Sequence, residues 1–141
     1  MTTQSIEGGA SPSKLMRGGL WLAQVLVSAL FLSGAFMKFG IPIEQLSKIM
    51  PWTGEVSPML VYGTGLVDAL GGIGILFPAL TRIRPELTVP AAIGCFLLQV
   101  CAFVFHVTRG DPAPAYLTNV VVMALAAFVG WGYARRRAPR T

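Results

Sequence analysis

Charge is scarce in this sequence. Only 12% of its residues are Asp, Glu, Lys or Arg, about half the share of a soluble domain. A chain so poor in charge cannot coat a globular surface for water, which excludes an ordinary soluble domain. Cysteine is limited to Cys95 and Cys101, both inside one apolar run. Their six-residue spacing points them to different sides of a helix and disfavours an intrachain disulfide. They read as small packing residues; the alternative, a redox role, is opposed by an apolar setting that disfavours the thiolate. Histidine occurs once, as His106. Without Cys or carboxylate neighbours at ligand spacing it makes a poor metal site, and a bis-histidine haem is excluded for a single chain. Acidic residues number six against eleven basic ones. The basic residues collect at the ends of apolar runs, where they orient helices in a membrane, so the charge of +5 does not read as a nucleic-acid footprint.

What the chain has in abundance is apolar length: 54% hydrophobic residues and a mean hydropathy of +0.66. Four runs stand out: Leu20 to Phe39, Pro58 to Leu80, Leu87 to Val107 and Ala115 to Ala134. Each has the roughly 20 residues that cross a hydrocarbon core of about 30 Å. The reading is all-α, a bundle of four transmembrane helices running up-down-up-down with short connections. Residues 1–14 read as a disordered tail, 15–135 as the membrane domain and 136–141 as a basic tail. The first run also has the form of a signal peptide, with Lys14 and Arg17 before it and Ser33-Gly34-Ala35 as a cleavage-like site. Cleavage would discard Gln24 and Ser28, which the polar pattern below uses. With 141 residues, four spans leave no room for a separate catalytic module.

Lys and Arg divide eight to three between the two sides of such a bundle. The richer side holds both termini and the Thr81–Glu86 turn, placing them in the cytoplasm of a cell with an inner membrane. The Arg135 to Arg137 run is expected to end the last helix. In the outer loop, Ile43, Leu46, Ile49 and Met50 recur at helical spacing, with Pro42 before and Pro51 after. This predicts a short interfacial helix, followed by Trp52 at headgroup level. The segment is either a lid over the bundle or a plain surface anchor.

Every span carries a stripe of polar and small residues. The stripes are Gln24, Ser28, Phe31, Ala35 and Lys38; Thr64, Gly65, Asp68, Gly71 and Gly72; Ala92, Cys95, Gln99, Ala102 and His106; and Asn119, Met123, Ala126, Gly130 and Ala134. Small residues let helices approach closely in lipid and polar ones need partners there, so the stripes are expected to face inward. With a rise of about 1.5 Å per residue, Lys38 and His106 lie near the outer ends, Asn119 roughly 6 Å in, Gln99 roughly 12 Å and Asp68 roughly 15 Å. These positions describe a polar cleft opening outward and ending near the midplane, with Gln24 outside it. The candidate ligand-binding residues are Asp68, Gln99, His106, Asn119, Lys38 and Trp52. An aspartate at mid-helix costs about 2.5–3.5 kcal/mol on insertion scales. Asp68 therefore has a function or fixes packing through Gln99 or Asn119, with Lys38 the nearest cation. His106 is a proton donor, a ligand to quinone or metal, or an interfacial side chain; Arg109 attracts an anion at the mouth or contacts headgroups.

An ordered series runs through these positions: Gly34-x-x-x-Lys38-Phe39, Pro51-Trp52, Asp68-x-x-Gly71-Gly72-x-Gly74, Pro78-x-x-Thr81-Arg82, Pro85-x-Leu87-Thr88, Phe105-His106-x-x-Arg109-Gly110-Asp111, Asn119 and Phe128-x-x-Trp131-Gly132. It resembles the DoxX-like family of small four-helix membrane proteins over roughly Leu15 to Tyr133. The resemblance implies association with membrane redox chemistry, since relatives include the small subunit of a thiosulfate:quinone oxidoreductase and a partner in an oxidative-stress complex. Many members carry Glu where this chain has Asp68, and the family supplies no catalytic residues to transfer. Two function classes are expected. One is a redox accessory subunit with a partner polypeptide, its cleft taking a quinone or a small sulfur or oxygen species. The other is a small-solute or proton transporter or a membrane scaffold, with the lipid bilayer and a second copy of the chain as partners. No cofactor motif is evident; a quinone is the one candidate.

Overall fold

The computed structural model describes residues 13–137, and among these it contains helices and no strand. The elements are α1 (Lys14–Gly40), α2 (Ile43–Ile49), α3 (Pro58–Thr81), α4 (Thr88–Arg109) and α5 (Ala113–Arg137), with 3-10 turns at Pro51–Gly54 and Pro85–Leu87. Four of the helices are long and apolar enough to cross a membrane. They form an antiparallel ring in which α1 pairs with α3 and α4 with α5, while α3 meets α4 and α1 meets α5. The four-span bundle read from the sequence is the one found, and it makes this a multi-pass membrane protein.

Two of the spanning helices, α1 and α3, begin where a serine hydroxyl satisfies a free N–H group. The Ser13 hydroxyl accepts from the Met16 N–H at 3.2 Å, starting α1 six residues before the apolar run, so Ser13 and Lys14 belong to the helix start rather than to a tail. The rest of the expected N-terminal tail and residues 138–141 lie outside the described residues. Ser57 caps α3 in the same way at 3.4 Å, with Pro58 in the first helical position. At the other end, α5 does not stop at the arginines but runs through them to Arg137. Arginine is a good helix former and its charge suits a helix C-terminus. The Arg135 guanidinium also lies 5.0 Å from the Trp131 ring, and that of Arg136 lies 5.3 Å from the Tyr133 ring.

The half of the bundle nearer the termini is solid. Val27, Phe31, Ile75, Ala92, Cys95, Val122, Ala126 and Val129 fill it. Polar side chains from α1 bind main-chain carbonyls of α3: Ser28 Oγ donates to Gly72 O at 2.8 Å and Gln24 Nε2 to Ile75 O at 3.1 Å. Tyr133 from α5 completes this lock by donating to Gln24 Oε1 at 3.0 Å. In lipid, such bonds supply specificity that apolar contact alone does not. Gln24 thus works away from the polar cleft, as its depth implies. Cys95 is buried here and Cys101 exposed, on separate sides of α4.

Close approach of α3 to its neighbours depends on Gly71 and Gly72. A Cβ on Gly72 would lie 2.8 Å from Leu32 Cγ and 3.2 Å from the Ser28 carbonyl oxygen; one on Gly71 would lie 2.8 Å from Cys95 Sγ. Around Gly63, on the outer face, there is nothing within 4 Å. Overpacking a tight site costs about 1–3 kcal/mol. Gly71→Leu and Gly72→Leu are therefore expected to lower the thermal midpoint of the purified protein in detergent, while Gly63→Leu leaves it unchanged. Equal midpoints for the three variants would mean that α3 presents another face to α1 and α4.

Candidate functional site

Away from the termini, the bundle opens into a cavity of about 490 Å³ between α1, α3, α4 and α5. The six candidate residues read from the sequence, Lys38, Trp52, Asp68, Gln99, His106 and Asn119, all line it. Phe31, Met37, Leu98, Phe105 and Val122 supply apolar walls, and Cys101 also borders it.

At its base Lys38 Nζ donates to Asp68 Oδ2 at 2.6 Å, with the two side chains 10% and 11% exposed. Each residue continues the buried stripe of its helix. Two glycines admit the pair: a Cβ on Gly65 would lie 3.1 Å from Lys38 Cβ, and one on Gly34 3.1 Å from Asp68 Oδ2. The lysine also sits below Trp52, its Nζ 5.5 Å from the ring centroid, a cation–π distance. Asp68 is thus matched by Lys38 rather than by Gln99 or Asn119. Those two amides stay apart from the ion pair, and Gln99 Oε1 and Asn119 Nδ2 are buried with no hydrogen-bond partner among the described residues.

The mouth is organised by the end of α4. Gly110 adopts the left-handed conformation, φ +73°, and donates to Val107 O at 3.1 Å while Asp111 N–H donates to His106 O at 3.0 Å. This is the Schellman pattern, which turns the chain back over the last helical turn. It carries the Asp111 carboxylate onto the His106 ring, where Nδ1–H donates to Oδ2 at 2.7 Å. The other ring nitrogen is thereby the acceptor in the neutral imidazole. The hydrogen bond from His106, followed by that from Arg109, holds the Asp111 carboxyl below the usual carboxylate range.

Arg109 is held by carboxylates on two sides: Nη1 meets Glu55 Oε2 at 2.7 Å and Nε meets Asp111 Oδ2 at 3.2 Å. The expectation that Arg109 draws an anion to the mouth gives way to this double pairing. Glu55 lies in the loop after the 3-10 turn, so the bridge ties that loop to α4. Trp52 reinforces the tie by packing edge-on against Phe105, ring centroids 5.8 Å apart. Its ring forms part of the cavity wall. Glu55, Asp111 and Phe105 were missed as site residues. Asp111 was the most recoverable, because a glycine cap at position 110 returns the following residue to the preceding turn. Glu55 carried no local signal. Among the described residues no three of His, Cys, Asp and Glu converge to hold a metal ion.

A four-span bundle, packed at one end and hollowed at the other around a buried ion pair, defines a small integral membrane protein with a ligand-sized internal site. The chain belongs to the DoxX-like family, whose model matches residues 22–129. Comparison with curated proteins and with solved structures found no match.

Breaking a buried ion pair by removing one partner costs about 3–5 kcal/mol, whereas replacing both is often neutral. Lys38→Met alone is expected to lower the thermal midpoint in detergent sharply, and Lys38→Met combined with Asp68→Asn to recover most of the loss. Additive losses in the double variant would show that the two side chains do not act as a pair.

Proposed function

We propose that this protein is a redox-associated accessory subunit of a cell's inner membrane whose cavity takes a neutral ring of the quinone class. The observation that carries the reading is charge balance. Lys38 is matched by Asp68, and Arg109 by Glu55 and Asp111, so no cation at the site is left to receive an anion. Bringing thiosulfate or a similar dianion into these apolar walls would cost its hydration without a counter-charge. A neutral ring instead gains apolar contact with Phe31, Met37 and Phe105, and its oxygens find polar groups at Lys38, Asn119 and His106. A volume of about 490 Å³ lies within the range of cavities that enclose organic ligands. It is generous for peroxide or sulfide. Membership of a family associated with membrane redox chemistry supports the same reading. A transporter or scaffold remains the second class and predicts no saturable ring binding.

Binding is testable through Trp52, the one tryptophan on the cavity. Ubiquinone-1 should quench its fluorescence saturably in protein held in quinone-free nanodiscs. The saturable part should vanish in Trp52→Phe, which keeps Trp21 and Trp131, and thiosulfate should not compete. Absence of saturable quenching, or competition by thiosulfate, overturns the reading.

The eight-to-three charge division puts both termini in the cytoplasm and the cavity mouth outside, with α2 in the outer interface. In a variant lacking Cys95 and Cys101, a cysteine at Ser57 should react with an impermeant maleimide added to intact cells. One at Ser5 should react only after permeabilisation. The reverse pattern inverts the topology.

A further inference from the structure

Resting on that quinone-class reading, we infer that the cavity is entered from the lipid, through a gap between the outer halves of α1 and α5, and that this gap holds the apolar tail of a membrane-dissolved ligand. Among the described residues on the cavity wall, those exposed are Leu30, Ser33, Leu60, Cys101 and Thr118. All belong to spanning helices. With a rise of about 1.5 Å per residue, Leu30, Ser33, Cys101 and Thr118 lie roughly 8–15 Å inside the outer ends of those helices, within the hydrocarbon. Toward water the wall is made by Met50, Trp52, Phe105 and His106, each partly buried. The edge-on contact of Trp52 with Phe105 and the Glu55–Arg109 pair hold that side together. The cavity therefore reaches the surface sideways, where a membrane-dissolved molecule arrives and a hydrated one does not.

The seam between α1 and α5 is filled near the termini and open farther out. Near the termini a Cβ on Gly132 of α5 would collide with Leu20 of α1, and one on Gly19 of α1 would touch Phe128 of α5 at 3.8 Å. Leu30 and Met37 lie about three and five turns beyond Gly19, and Thr118 lies about four turns from Gly132, so the faces that meet at one end line the cavity at the other. There the facing residues are small. A Cβ on Gly34 would meet only the Asp68 carboxyl within 4 Å among the described residues, so α5 stands off. Ser33 and Thr118 turn their hydroxyls back onto their own helices, at Leu30 O and Pro114 O. Small residues commonly draw helices together in lipid; here they leave room. The seam between α3 and α4 differs. A Cβ on Gly74 would lie 3.0 Å from Ala91 Cβ, and about two and four turns beyond Ala91 the same face of α4 carries Leu98 and Phe105 on the cavity wall, opposite Leu60. Side chains of that size fill the space that Ser33, Gly34 and Thr118 leave free. An isoprenoid or alkyl chain suits the gap, because it needs no hydrogen-bond partner and continues into the bilayer without meeting water.

The test uses full-length protein in quinone-free nanodiscs and a ubiquinone analogue whose side chain carries a diazirine. After illumination, peptide mass spectrometry is expected to find the label on Leu30, Ser33, Met37 or Thr118, and excess ubiquinone-1 should suppress it. Label on Leu60 and Cys101 instead would put the tail at the α3–α4 seam, and label on Met50 and Trp52 would put it on the water side. Either result overturns this inference while leaving the quinone-class reading standing, provided ubiquinone-1 still quenches Trp52 saturably. Absence of both the quenching and a suppressible label overturns both. A phospholipid with a diazirine in its acyl chain that labels the same residues, and that ubiquinone-1 does not displace, would make the gap a lipid site and overturn the tail assignment. None of these outcomes depends on a variant folding. Ser33→Phe combined with Thr118→Phe fills the gap, and neither hydroxyl bonds another helix. The double variant should weaken ubiquinone-2 about tenfold, the scale of an overpacked contact, and leave equilibrium binding of the tail-free ubiquinone-0 unchanged. Undiminished binding of ubiquinone-2, or equal loss of both probes, would overturn the assignment.

Discussion

The Lys38–Asp68 ion pair is the constraint around which the bundle is arranged. Either charge alone in a hydrocarbon interior is expensive, and each makes the other tolerable only at contact. That requirement fixes the rotation of α1 and α3 about their axes. It also explains why glycine occurs at positions 34 and 65, where a Cβ would crowd the pair. With the rotation set, Ser28 and Gln24 fall opposite carbonyls of α3, and Gly71 and Gly72 face α4 and α1. The solid half of the bundle and the hollow half are thus two consequences of one alignment.

The hollow half shows how a small chain reconciles an apolar shell with polar function. Its formal charges are paired within the protein, and the Gln99 and Asn119 amides and the His106 ring are among the uncharged polar groups on its walls. Pairing also shapes the mouth. A glycine cap returns Asp111 to His106, and Arg109 joins that carboxylate to Glu55 on the loop before α3. Surface ion pairs of this sort contribute little stability. Their effect is positional, keeping the loop that bears Trp52 over the cavity.

Apolar length determined much of the structure without reference to tertiary contact. Four runs of about 20 residues can only be spanning helices in lipid, and Ser57, Pro58 and Gly110 mark their ends by local rules. The polar stripes were legible for the same reason: a period of three to four residues is a property of one helix, and polar atoms in lipid have few places to face. This is why Asp68, Gln99, His106 and Asn119 were recognisable as one group. Helix boundaries were less legible, because Ser13 and the terminal arginines extend helices beyond the apolar run by capping and charge rather than hydropathy.

Only the folded bundle decided which polar group partners which. Depth along a helix is set by residue number, but the reach of Lys38 down to Asp68, past Trp52, depends on how closely α1 and α3 pack and on a flexible side chain. Sequence spacing equally allowed Asp68 to bond Gln99 or Asn119; in the folded bundle it bonds Lys38 instead. Glu55 meets Arg109 across 54 positions of chain, a separation at which no periodicity carries information. The sequence by itself determined the spans, their inward faces and the cost of a buried aspartate. The pairing that offsets that cost exists only where helices distant in the chain come into contact.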